Sequence, residues 1–442
     1  MQIIFHAWSQ PPSRLKKGFF YGWIIVLVVF ITNLIDGGIT VYGMSFFIVP
    51  MTEDLGMSRA QFSGVFIFDL LLMPLAPFMG HLVDKKHGPR IMLTVGSVGV
   101  GLSMMVLGTS QNVVHFYLFF GLLFSAFTLI GPVSGAVVPK WFIRLRGRAM
   151  AMAIMGISAG GFIVAPLAGW LINEFGWRVA WLALGGLFIV AIAPPAAIFM
   201  RRRPEDMGLL PDGDTPRPSS DVSPSSGAIW VDAEYPWTPR EAFRTRAFWL
   251  LLGMQAMGGM AVGPVLLHQV AYMRDKGFSN LEATGVATAL AVFAMLAKPL
   301  WGFLAERIHV RWLVPMALIP AGLTLSLLTY GQSLAMLYAY AALHGLTMGA
   351  WALLTNLSWP TYFGRQRIGS IIGWAMVPLS VLGFGSGVFG GWTWDTVGNY
   401  NIAFKVYSVV FVLAGLLMLI NWPPIPPQKQ VDSVPDDVVP TP

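Results

Sequence analysis

Few ionisable side chains interrupt the apolar stretches of this 442-residue chain, and those that do are where chemistry is available: Lys298, Asp36, Asp69 and His268. Charge held in hydrocarbon is expensive, so each is a functional candidate by default. Lys298 lies about six residues from the inner end of its stretch, roughly 9 Å of helical rise. A cation there suits a carboxylate ligand; the competing reading is a lysine that snorkels outward or is permanently paired to an acid. Asp36 stands in Asn33-Leu-Ile-Asp36-Gly37-Gly38-Ile-Thr40, where Asn33, Asp36 and Thr40 share one helical face. It reads as a proton-exchanging acid or as one partner of a salt bridge in the outer half. Gly37-Gly38 weakens the helix there and allows bending. Asp69, among Phe62, Phe66 and Met73, reads as a proton carrier or as a member of a structural ion pair. His268, followed by Gln269 and Tyr272, titrates near neutrality or serves as a hydrogen-bonded gate. His344, Trp351, Asn356 and Trp359 are placed to line a central cavity, although Trp near segment ends also anchors at the interface. The expected ligand-contacting set is Lys298, Asn33, His268, Asn356 and Trp351, with Asp36 and Asp69 as coupling acids.

The elements that must position these residues follow from composition. Hydrophobic residues make up 55% of the chain and charged residues 11%, with a mean hydropathy of +0.65. An ordinary soluble domain carries about a quarter charged residues, which excludes a water-soluble multidomain enzyme. The absence of Cys excludes disulfide scaffolds and thiolate metal centres. No clustered His, Ser–His pair, paired carboxylates or P-loop appears, and His81, His87 and His309 lack metal spacing. Neither an enzyme nor ATP-driven transport is expected, and no cofactor or metal. Gly383-Phe-Gly385-Ser-Gly387 follows no strand, and with Gly156, Gly160 and Gly161 it reads as close helix packing.

Twelve apolar stretches reach the length of about 20 residues that a bilayer crossing needs: 20–48, 59–82, 91–109, 115–139, 149–172, 179–200, 246–272, 283–304, 312–330, 334–360, 369–391 and 400–422. Each must be helical, because backbone in lipid has to satisfy its own hydrogen bonds. The first follows Arg14, Lys16 and Lys17 but has no small-residue cleavage site, so a retained helix is expected. Of the 28 Lys and Arg residues, only Arg59, Arg178, Arg274, Lys276 and Lys405 fall on one set of alternate connections, and Lys298 falls within a segment. The rest lie on the other set, together with both termini. Basic loops stay on the cytoplasmic side, so the net charge of +7 is a topology signal rather than a nucleic-acid footprint.

The expected organisation is an N-terminal arm over 1–19, a six-helix bundle over 20–200, a linker over 201–245, a second six-helix bundle over 246–422 and a disordered tail over 423–442. The linker is rich in Pro, Ser and Asp and reads as flexible, with a short interfacial helix near Trp230–Trp237. The halves repeat. Gly80-His-Leu82-Val-Asp84-Lys85 matches Gly302-Phe-Leu304-Ala-Glu306-Arg307, and Pro139-Lys-Trp141-Phe142-Ile-Arg144-Leu-Arg146 matches Pro360-Thr-Tyr362-Phe363-Gly-Arg365-Gln-Arg367, at nearly one offset.

On these residues the chain resembles the major facilitator superfamily. Gly80-His-Leu-Val-Asp84-Lys-Lys-His-Gly88-Pro-Arg90 is similar to its signature between helices two and three, in which Gly80 permits close helix contact, Asp84 pairs with a cation or caps a helix, and Gly88 allows a tight turn. Within the superfamily, Trp141-Phe142-Ile-Arg144-Leu-Arg146-Gly147-Arg148, Phe175-Gly176-Trp177-Arg178 and Glu53-Asp54-Leu55-Gly56-Met57-Ser58-Arg59 resemble the bacterial monocarboxylate and oxalate/formate exchanger branch. Lys298 stands near that branch's helix-eight base. The chain departs from the animal members at Ala294, where they place an Asp, and in lacking a Lys within segment one.

The resemblance implies an all-α membrane fold of twelve helices in two pseudo-repeats that rock about a central site. The loops of Asp84/Arg90 and Glu306/Arg307 would latch the cytoplasmic side. The implied substrate is a small organic anion, moved with protons or against a counter-anion by a monomer in the inner membrane. Two rivals differ in class: an exporter of amphipathic compounds, suited to the aromatic- and Met-rich helices, and a non-transporting sensor on the same fold.

Overall fold

The computed structural model describes residues 19–128, 132–214, 234–397 and 399–427. Residues 1–18 of the expected arm, 215–233 of the linker and 428–442 of the tail lie outside them. Among the described residues the regular secondary structure is all helical, and nine helices are long and apolar enough to cross a membrane. Three further features resolve twelve segments. The run Arg146–Phe199 is broken at Gly176, whose φ of 81° only glycine adopts readily, so it counts as segments five and six. Ile67–Val83 forms segment two and Ile368–Val397 segment eleven.

Helix ends follow local sequence. Segment eight starts at Ser279, whose hydroxyl accepts the Glu282 N–H while the Glu282 carboxylate accepts the Ser279 N–H. Segments seven and ten start at Thr245 and Ser333 in the same role. The expected polar face of segment one forms around a local change of pitch. Gly22–Asp36 is α-helical, and Gly37–Gly43 widens into a π-helical turn. Gly37-Gly38 also serves contact, since a Cβ on Gly38 would lie 2.8 Å from the Gly160 carbonyl oxygen of segment five. The segment-five glycines therefore pack helices closely, as their spacing suggests.

The two stretches Asp54-Leu-Gly and Gly176-Trp-Arg178, far apart in sequence, meet at the end away from the basic loops. Trp177 Nε1 donates to Asp54 Oδ2 at 3.1 Å, Arg178 is ion-paired with the same carboxylate, and the guanidinium lies over the Trp177 ring.

The linker differs from expectation at both described ends. Residues 201–214 fold onto the first half through 3-10 turns at Pro204–Met207 and Pro211–Gly213. The Asp212 carboxylate accepts the N–H groups of Ile143, Arg144 and Leu145 at 2.9–3.2 Å, just ahead of segment five. Burial pushes the Asp206 carboxyl up, but the hydrogen bonds and charges of Arg202 and Arg203 outweigh it and hold the group below the usual carboxylate range. At the other end, residues 230–233 of the stretch expected to hold a short helix lie outside the described residues, 234–238 are not helical, and a helix runs over Pro239–Phe243, capped by Thr238. Trp237 is buried edge-on against Phe363 of the second half. Aromatic side chains and proline rings thus find core partners that a compositional reading of the segment misses.

Candidate functional site

The halves meet along segments two and eleven and along segments five and eight, with their described polar contacts concentrated toward the basic loops. The two contacts are pseudo-equivalent. A Cβ on Gly80 would sit 2.2 Å from the Gly369 carbonyl oxygen, and one on Gly147 would sit 2.1 Å from that of Gly302. Backbone therefore touches backbone at both places.

Each glycine contact carries an acid that holds the opposite half. Asp84 accepts the Gly369 and Ser370 N–H groups, at 3.2 and 2.8 Å, and the Ser370 hydroxyl at 2.7 Å. It thereby occupies the positive end of segment eleven. Its cation is Lys140, at 2.6 Å, with both side chains at least nine-tenths buried. Glu306, the repeat counterpart, accepts the Arg148 N–H at 3.1 Å at the start of segment five and pairs with the Arg148 guanidinium at 2.8 Å.

Within the expected latch loops, Arg90 and Arg307 are not the bases that pair with Asp84 and Glu306 among the described contacts. Arg90 makes no ion pair among the described contacts; its charge faces Tyr21 and Arg201. Arg307 stacks on Phe303, 4.2 Å from the ring centroid, and leaves Glu306 to Arg148. A Cβ on Gly88 would meet the Leu82 carbonyl in the turn. Lys140 and Arg148 have a faint sequence signal, as each sits where a basic loop joins an apolar run.

Deeper between the halves, Lys298 is 6% exposed. Its Nζ donates to Ser158 Oγ at 2.7 Å, across from segment eight to segment five, and lies 3.4 Å from the Ala294 carbonyl. Among the described ion pairs none involves Lys298. That removes the permanently paired reading, and its burial removes the snorkelling one. Ser158 also bonds Tyr42 of segment one. Ser158 is invisible in sequence, because a lone hydroxyl in a Gly-rich helix is common.

The other candidates are dispersed. Asp36 has the Thr40 hydroxyl 3.4 Å from its carboxylate and no described ion pair, so the salt-bridge reading fails. Asp69 pairs with the Ser125 side chain rather than with a cation, against the ion-pair reading. Asn33 donates to the Ala153 carbonyl at 2.8 Å, fixing segment one to segment five. Asn356 donates to its own helix at Ala352 and stands against Gly135 of the first half. Trp351 packs on Gly258, and Trp359 donates to Gln255. His268 stacks on Tyr400 with its Nε2 buried and unpartnered. His344 is fully buried, with Nδ1 facing Thr324 and Ala321 of segment nine, so it does not line a cavity. Among the described residues no cluster of His, Cys, Asp or Glu could hold a metal.

Comparison with known proteins bears on the family and the fold. Rat monocarboxylate transporter 13 is 25% identical over 96% of both chains, and human monocarboxylate transporter 12 is 26% identical over 91% of this chain and 81% of its own. Among solved structures, the Major Facilitator Superfamily transporter FucP in its outward conformation superposes with a TM-score of 0.67 at 11% identity, over 91% of this chain and 98% of that one. The human organic anion transporter MFSD10 gives 0.63 at 18%, over 92% and 100%. These structures share the fold. The Major Facilitator Superfamily matches residues 26–295 and 254–441, and the chain is a multi-pass membrane protein belonging to that superfamily of transporters.

Proposed function

We propose that this secondary transporter moves a small organic anion, a monocarboxylate or related carboxylate, by alternating access. The observation that carries the reading is Lys298: a buried cation at the seam between the halves with no described carboxylate partner. Such a charge is costly unless a counter-ion arrives, and a substrate carboxylate supplies one. The relatives named monocarboxylate transporters support the same substrate class. Half-buried Trp351 and Asn356 complete the wall, Asn33 positions segment one, and His268 guards the far end.

Asp36 carries a coupling proton, with Asp69 as the second acid; exchange against a counter-anion is the other mode of the same cycle. The Asp84 and Glu306 contacts act as the latch of the cytoplasmic side. Both termini are cytoplasmic in the inner membrane, and the working unit is a monomer.

The test is flux into liposomes containing only this protein. Saturable uptake of a labelled monocarboxylate, accelerated by an inward proton gradient or by internal anion, is the expected result. Transport of amphipathic compounds with no carboxylate flux would overturn the assignment in favour of an exporter.

A further inference from the structure

We infer that the two ends of the 201–245 segment form a crossed clasp that sets how readily the basic-loop end opens. The segment is then a conformational control and not merely a tether. The inference rests on the alternating-access reading above.

Residues 201–214 belong by contact to the first half. Asp212 is bonded ahead of segment five, and Arg202 donates to the Asp84 carbonyl at 2.9 Å. Residues 234–245 belong to the second half, through Trp237 on Phe363 and Phe243 on Trp374. Each end nevertheless sends a carboxylate to the other half. Glu205, on the first-half end, reaches Arg365 at 2.6 Å. Glu234, on the second-half end, reaches Arg146 at 2.9 Å, while its other oxygen accepts the Arg365 N–H at 3.0 Å.

The arginines are themselves crossed. Arg146 Nη1 lies 3.4 Å from the Pro360 carbonyl of the second half, and Arg365 Nη1 donates to the Lys140 carbonyl of the first at 3.0 Å. Both arginine side chains are only 10% exposed, against 33% for Glu205 and 26% for Glu234. A cavity of about 220 Å³ lies among Lys140, Arg202, Arg203, Glu205, Glu234, Arg365 and Gln366, so the carboxylates have room to leave.

The physical consequence is direct. Closing this end brings two guanidiniums into one poorly hydrated seam, and like charges there repel. Glu205 reaches Arg365, and Glu234 reaches Arg146, only while the halves are together, because each of these pairs joins different halves; Glu234 also lies 3.9 Å from Arg365 of its own half, a contact that opening leaves in place. The clasp therefore favours the closed end and must break on opening.

The chain has no Cys, so Lys86→Cys with Arg307→Cys gives an exposed pair, one on each half, for spin-label distance measurement. In full-length protein, Glu205→Gln and Glu234→Gln should each raise the ratio of open to closed molecules about tenfold, as loss of one charge-assisted hydrogen bond implies. Asp84→Asn is the reference perturbation. If Asp84→Asn lengthens the distance and the Glu variants do not, the clasp is refuted while the rocking motion stands. If none of the three lengthens it, the rocking reading fails and takes the clasp with it. Cleavage at a protease site inserted within 215–233 provides a second arm, independent of the substitutions. With the clasp intact the distance stays short; opening on cleavage would make the segment a tether and overturn the inference.

Discussion

Replacement of Lys298 by Met should weaken anion binding while leaving the ligand-free protein no less stable. Met nearly preserves side-chain volume in a site that is 6% exposed, so the change isolates charge. The ammonium is buried on Ser158 with no described acid, so removing it relieves a desolvation cost of several kcal/mol and forfeits a charge-assisted hydrogen bond of about 1.5–3 kcal/mol. The hydroxyl is not orphaned, because Tyr42 still bonds it. A carboxylate bound to Lys298 through a charge-assisted bond worth about 1.5–3 kcal/mol should lose roughly ten- to 150-fold in affinity. Thermal unfolding of detergent-purified protein reads both quantities, since a ligand bound only to the folded state raises the midpoint in proportion to ln(1 + [L]/Kd). The expected result is an unchanged or higher midpoint without ligand and a much smaller upward shift with a small carboxylate than in the wild type. A lower ligand-free midpoint with an undiminished carboxylate shift would show a structural lysine and refute the reasoning.

Asp84→Asn leaves Lys140 buried without its counter-charge and weakens the cap on segment eleven. Breaking such a pair costs about 3–5 kcal/mol, and cysteines placed at the basic loops should become more reactive, with substrate preference unchanged. Gly80→Val places carbon 2.2 Å from the Gly369 carbonyl, so the halves cannot seat; the same cysteines should label faster, and Gly302→Val should reproduce the effect. Asp36→Asn should abolish acceleration of uptake by a proton gradient while sparing anion exchange in liposomes; normal gradient-driven uptake would move the proton to another acid.

The sequence by itself determined the helical, membrane-spanning architecture, the repeat of two halves and the superfamily. Lipid leaves backbone no alternative to internal hydrogen bonding, so hydropathy and stretch length speak directly for the fold. The isolation of Lys298 in an apolar stretch was legible for the same reason: a cation there is rare because it is expensive. The choice of partners was decided only by tertiary structure. Asp84 could pair with any nearby base, and folding brought Lys140 and segment eleven to it rather than Arg90. Asp69 meets Ser125, Asp36 meets Thr40, and His344 turns into the seam with segment nine, because helix rotation is set by glycine contacts spread over distant segments. The linker shows the sharpest division. Its Pro, Ser and Asp content gives no apolar period from which packing could be inferred, yet Asp212, Glu205, Glu234 and Trp237 are each fixed by groups on other loops. Composition reports what a segment can bury alone; only the assembled bundle supplies the donors and rings that hold it.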